Sequence, residues 1–192
     1  MKFAGIEEGG FHRWFRRLKE RTPLVAVLFE NLSLRDLRIG DVEVDGLDAT
    51  EKALQLLSEW ERECILLGSV AYAGFNFIDP RELHRELKVP VIVALRRKPN
   101  PSSVEEALRK HFSDWNVRWE VFSRFSAPVE VKVKREEKPL YVFNLGVDHE
   151  RAVDILRKLT VFGRIPEPLR AARIIARGLS SLKLHENWLE RS

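Results

Sequence analysis

Short blocks of consecutive apolar residues alternate along this chain with stretches in which apolar residues recur every three or four positions, a pattern of strands interleaved with helices. Lys2–Glu8 and the β-branched run TPLVAVLFEN at residues 22–31 predict two strands, the second with Pro23 at its beginning. LRDLRIGDVEVD at 34–45 alternates weakly and predicts an outer strand. Asp48-Ala49-Thr50-Glu51 supplies an N-cap carboxylate and a Glu three positions on. Ala53, Leu54, Leu56, Leu57 and Trp60 then predict a helix of about three to four turns. Between the first two strands, GGFHRWFRRLKER at 9–21 is a basic segment with Trp14 and Phe15, long enough to cap one end of a sheet or to form a solvated hairpin.

The apolar run from Ile65 predicts a buried strand that breaks at Gly68-Ser69. Asp79-Pro80-Arg81-Glu82 repeats the capping pattern, with Pro where a missing N–H costs nothing and Glu placed to reach back, and opens a short helix to about Leu87. VPVIVAL at 89–95 is uninterrupted and predicts a strand covered on both faces, parallel to the one before it. Pro101 opens a helix through Phe112, after which VRWEVF (117–122), VEVKVK (129–134) and LYVFNLG (140–146) predict antiparallel or edge strands. Asp148 caps a helix to about Thr160, and Pro168 begins a last helix through Gly178, with Leu169, Ala172, Ile175 and Ala176 on one face. Periodicity alone therefore predicts an α/β protein.

Composition narrows the function classes. A chain of 192 residues with 44% hydrophobic content can bury one sizeable core, so a single domain over 1–192 is expected. With 33 basic and 29 acidic residues, a net charge of +4 permits an acidic partner without demanding one. The lone Cys64 cannot form an internal disulfide, no apolar run approaches membrane-spanning length, and the opening MKFAGIEE lacks the apolar core of a signal peptide. The expected location is cytoplasmic. Charged residues make up 32% while Gln occurs only at 55, a balance found in proteins that work hot. His12, His84, His111, His149 and His185 lack ligand spacing, and Cys64 has no visible base, so neither zinc nor thiol chemistry is supported. Gly9-Gly10 is too short to cradle a phosphate.

Several ordered motifs carry a family resemblance. ILLGSVAYAGFNFID at 65–79 and VIVALRRKP at 91–99, with Gly5-Ile6-Glu7-Glu8-Gly9, Val44-Asp45-Gly46-Leu47-Asp48-Ala49-Thr50 and Ile165-Pro166-Glu167-Pro168-Leu169-Arg170, resemble the archaeal endonuclease dU family, which is similar in fold to endonuclease V. The resemblance covers roughly residues 3–178. It implies a ribonuclease-H-like mixed sheet, with three leading strands, then parallel strand-helix repeats, and helices on both faces. It also implies nicking of DNA near a deaminated base within repair, with Mg²⁺ or Mn²⁺ as cofactor and DNA, or RNA, as partner.

The resemblance places Glu7, Asp45 and Asp48 as catalytic residues, with Glu7 and Asp45 as metal ligands and Arg96, Arg97, Lys98, Asn76 and Arg173 as nucleic-acid contacts. Bland roles compete for three of these: helix N-cap for Asp48, turn former for Asn76, and exposed helix position for Arg173. The chain also departs from the family pattern, with Gly68 where the family has Asp, Glu7-Glu8 where it has two Asp, and Arg173 where His is expected. Those departures imply a second reading, a catalytically inactive paralogue that serves as a nucleic-acid-binding or interaction module.

Overall fold

The computed structural model describes residues 1–10, 21–135 and 137–189, with side chains described through residue 182. The basic segment expected between the first two strands lies almost wholly outside the described residues.

Three strands, β1 (Lys2–Glu8), β2 (Arg21–Glu30) and β3 (Ser33–Glu43), form an antiparallel meander. Helix α1 (Ala49–Leu57) leads to β4 (Cys64–Leu67), which pairs parallel with β1. A small hairpin, β5 (Ala71–Tyr72) and β6 (Asn76–Phe77), precedes α2 (Pro80–Leu87), and β7 (Val91–Leu95) then pairs parallel with β4, as the strand-helix-strand spacing predicts. Helices α3 (Pro101–His111) and α4 (Trp115–Ser123) follow, then β8 (Val129–Val131), β9 (Leu140–Leu145), α5 (His149–Leu159) and α6 (Glu167–Leu189). The sheet order is β3-β2-β1-β4-β7-β9-β8.

Alternation along each strand divides the core into two layers. Ala4, Ile6, Leu24, Ala26, Ile65 and Val93 face α1 to α4, while Phe3, Leu66 and Ile92 face α5, and Val25, Val27 and Phe29 face α6. Helices therefore cover both faces, which is why β4 and β7 read as uninterrupted apolar runs. Gly5 permits the closest of these contacts: a Cβ there would stand 2.8 Å from the Pro168 carbonyl carbon, so the start of α6 lies directly on β1.

Four local expectations are corrected. Residues 117–122 belong to α4 rather than to a strand. The V-x-W-x-V alternation is overridden by the helical stripe Trp115, Trp119 and Phe122, and by Arg118, whose guanidinium donates to Gly46 O (2.9 Å) and Phe75 O (2.6 Å) and pairs with Asp114. Helix α1 stops at Leu57, and Trp60 instead donates its indole N–H to Asp36. The strand expected at 129–134 is only three residues long. Helix α6 passes through Gly178 to Leu189, because one exposed glycine costs only about 1 kcal/mol in a helix. Among the described residues, no helix is long and apolar enough to cross a membrane.

Candidate active site at the ends of the parallel strands

Because β1, β4 and β7 run parallel, their C-terminal ends meet at one edge of the sheet, where α/β folds bind ligands. Glu7 and Glu8 close β1, Gly68 and Ser69 follow β4, and Arg96 and Arg97 follow Leu95 of β7. Arg173 of α6 and Arg164 of the segment before it complete the wall. These residues, with Ala71 and Tyr72, line a cleft of about 530 Å³. An adjoining recess of about 250 Å³ shares Glu7, Glu8, Arg96 and Arg173 and adds Arg177, one helical turn after Arg173. A hollow of about 600 Å³ between β3, α1 and α6 is lined mainly by Pro23, Ile39, Leu56, Leu179 and Leu182, with only Asp41 and Lys52 charged.

Successive residues on a strand point to opposite faces, yet both glutamates reach the cleft because β1 ends there. Glu7 is only 7% exposed. Its carboxylate takes the space beside Gly68: a Cβ on Gly68 would stand 2.6 Å from Glu7 Cδ and closer still to Oε1. Burial pushes the Glu7 carboxyl up to about 7 against the pull of Arg96 and Arg177. Burial likewise pushes Glu8 up to about 8; a hydrogen bond from the Ala73 N–H opposes the rise, and the charge of Glu7 adds to it. Tyr72, wholly buried beneath the pair, donates its hydroxyl to Ile6 O (3.3 Å) and has its ionisation pushed well above the usual tyrosine range, chiefly by burial. Arg173 Nη1 is buried with no hydrogen-bond partner among the described residues.

The structure therefore brings Glu7, Arg96, Arg97 and Arg173 into one cleft, and Lys98 is exposed beside them without lining it. Asp45, Asp48 and Asn76 do not line that cleft; they form a hydrogen-bonded knot that ties the end of β3 to the β5-β6 hairpin, whose Ala73 N–H donates to Glu8. Asp45 adopts φ 59°, donates its N–H to Ala73 O (2.7 Å) and accepts from the Phe75 N–H (2.9 Å). The turn it grips carries Gly74 at φ 86°, where a Cβ would stand 3.1 Å from Asp45 Cγ. Asp48 is at the N-cap position of α1 but does not cap it; its carboxylate accepts from the Glu43 N–H (3.1 Å), Asn76 Nδ2 (2.7 Å) and Arg21 (2.9 Å). Burial alone would raise Asp48, but these hydrogen bonds outweigh it and hold the carboxyl below its usual range.

Asn76 takes over the capping: its Oδ1 accepts from the Ala49 N–H at 2.9 Å, and Nδ2 also donates to Glu43 O. Asn76 is fully buried and bonded at both ends, the turn-forming role that competes with a base contact. Sequence reasoning had placed Glu8 beside Glu7 without assigning it a role, and it missed Arg164, Arg177 and Tyr72 as cleft residues. The i, i+4 spacing from Arg173 could have found Arg177. Nothing local marks Arg164 or Tyr72.

The donor set was tested against the divalent ion that the fold family implies. Glu7 is buried and Glu8 half-buried, a cation would relieve the repulsion between their carboxylates, and one or two carboxylates plus substrate phosphate oxygens suffice for Mg²⁺. The pair fits one such ion. A second has no carboxylate at position 68, and among the described residues no three His, Cys, Asp or Glu side chains gather into a metal-holding set.

Comparison with known proteins agrees with this architecture. The family model described as endonuclease dU matches residues 1–180. A UPF0215 protein of Thermococcus gammatolerans is 36% identical over 180 residues, covering 92% of this chain and 90% of that protein. The crystal structure of a protein of unknown function from Archaeoglobus fulgidus superposes with a TM-score of 0.77 at 23% identity, covering 91% of this chain and 95% of that one. Endonuclease V from Ciona intestinalis, solved with a 24-mer DNA containing an inosine followed by a ribo-adenosine, superposes with a TM-score of 0.56 at 14% identity, covering 89% and 82%. With an endonuclease-V-like, ribonuclease-H-like sheet and a family match over nearly its whole length, the chain belongs to the endonuclease dU family.

Proposed function

We propose that this protein is an endonuclease of the endonuclease V type that nicks DNA beside a deaminated base in repair, using the cleft at the ends of β1, β4 and β7. One observation carries the reading: Glu7, Glu8 and four arginines, Arg96, Arg97, Arg164 and Arg173, line the same cleft. Arginine forks hold phosphate oxygens and neutralise charge on a phosphodiester. Arg173 Nη1, without a partner among the described residues, is open to such an acceptor.

Glu7 and Glu8 would hold the divalent ion, in place of the Glu7 and Asp45 pairing that the sequence motif suggests. When bound, the ion supplies charge relief on the scissile phosphate and an activated water. The chain's own contribution is the pair of carboxylates at the end of β1, the arginines that face them, and Tyr72, whose hydroxyl anchors the end of β1 through Ile6 O. A deaminated base must leave the stack to be read, which costs least where its pairing is already weak.

The test is a nicking assay on duplexes carrying one deoxyuridine or one inosine, with Mg²⁺, with Mn²⁺ and with chelator. Metal-dependent cleavage that Glu7→Gln abolishes is the expected result. The single-ion donor set and the bare Gly68 favour a second reading, a catalytically inactive binding module. Salt-sensitive binding without cleavage would select it.

A further inference from the structure

Outside the cleft, the segment between α5 and α6 holds an aromatic ring in water. Phe162 is 70% exposed, the most exposed large apolar side chain among the described residues. The segment that carries it is tied down on both sides: Thr160 Oγ1 donates to Leu156 O (2.7 Å), Lys134 Nζ donates to Val161 O, and Arg164 Nη1 donates to Pro139 O (2.6 Å). The ring is therefore presented by a braced turn. Its described cationic neighbour is Arg170, whose guanidinium carbon lies 6.0 Å from the ring centroid and whose Nε and Nη2 pair with Glu167, leaving Nη1 for a phosphate oxygen. Arg164, two residues on, lines the cleft.

Arg170 also begins a row. Residues 170, 173 and 177 fall within about 60° of one another around a helix, so Arg170, Arg173 and Arg177 share one face of α6. The row runs about 10 Å along the helix axis, roughly three nucleotides of a stacked strand. Its middle and last members reach the cleft and its recess, and its first lies beside Phe162. An aromatic face flanked by a line of guanidiniums is the chemistry that holds a single nucleic-acid strand: the ring takes a base, the cations take its backbone.

We propose that Phe162 is a stacking platform for an unpaired base, and that Arg170, Arg173 and Arg177 guide the backbone of the same strand from that base into the cleft. The inference rests on the cleft's being a nucleic-acid site and names the substrate class: a strand with an unstacked nucleotide a few positions from the scissile bond. A stacking platform tolerates any base, so Phe162 contributes affinity without sequence preference.

The experiment measures binding of the full chain to short single strands carrying 2-aminopurine at successive positions, whose emission falls when that base stacks. Phe162→Ala should weaken binding about tenfold and abolish quenching at one or two adjacent positions, while leaving the salt dependence unchanged. Phe162→Trp should restore both. Arg170→Ala should instead reduce the salt slope by about one without removing the quenching. If Phe162→Ala binds and quenches like the parent chain, the platform is wrong and the cleft reading stands. If the parent chain binds no single strand in a salt-sensitive manner, the strand-guiding proposal fails, and metal-dependent nicking of the deoxyuridine or inosine duplex still decides the cleft reading.

Discussion

Glu7 and Gly68 are complementary in volume: the carboxylate at the end of β1 fills the space that a side chain at the end of β4 would need, with 2.6 Å from a Cβ on Gly68 to Glu7 Cδ. The cleft thus keeps an acid at this point, delivered by the longer side chain of the neighbouring strand. Gly68→Asp alone should strain the site by about 1–3 kcal/mol and bring a further carboxylate against a buried one. Shortening the partner should relieve it. In thermal melts with and without Mg²⁺, Gly68→Asp should lower the melting temperature, and Glu7→Asp/Gly68→Asp should recover most of the loss and gain more from Mg²⁺ than the parent. Additive effects of the two substitutions would argue against the shared volume.

Stability should fall with rising pH. Glu7 and Glu8 have values raised from 4.5 to about 7 and about 8, so between those limits the folded state holds protons that the unfolded chain has released. Their favourable contribution is complete below the unfolded value and lost as pH rises through 7 to 8. The metal-free chain should lose roughly 5–10 °C in melting temperature between about pH 5 and about pH 9. Glu8→Gln should flatten that profile, and Mg²⁺ should offset the loss at the alkaline end.

The carboxylates separate by role. Glu7→Gln should abolish nicking with little change in fold, whereas Asp48→Asn and Asp45→Asn should leave the cleft's chemistry within a few fold of the parent and cost roughly 1–3 kcal/mol of stability, because each holds buried or half-buried N–H groups. Parallel cleavage rates and denaturant melts distinguish these outcomes. Loss of cleavage in stable Asp45→Asn would return that residue to the site.

Arg173→Ala and Arg118→Met make a matched pair of arginine tests. Arg173 faces the cleft, so its loss should weaken DNA binding at every sequence and reduce the salt slope by about one. Arg118 is 5% exposed, bonded to two carbonyl oxygens and Asp114, and lies 4.2 Å over the Phe112 ring. Its loss should cost about 3 kcal/mol in denaturant melts. The salt slope of whatever remains folded should not change.

The alternation of elements, the parallel pairing of β4 and β7, and the family are all legible along the chain, because they rest on local periodicity and contiguous motifs that need no partner to be read. The sequence also placed Glu7, Arg96 and Arg97 at one edge, since strand ends in a parallel sheet converge whatever the side chains are, while Arg173 on α6 entered through the family motif. How the polar residues are used depends on the folded chain. Asp48 reads as an N-cap, but Asn76, 28 positions away, is in bonding range of both its carboxylate and the start of α1, and so does the capping. Residues 117–122 alternate like a strand, but Arg118 finds its acceptors 72 and 43 positions away, on Gly46 and Phe75. Arg164 and Tyr72 enter the cleft through chain crossings that no local pattern encodes. A hydrogen bond or a filled volume depends on two residues meeting, and for these residues the meeting is made by packing rather than by spacing along the chain.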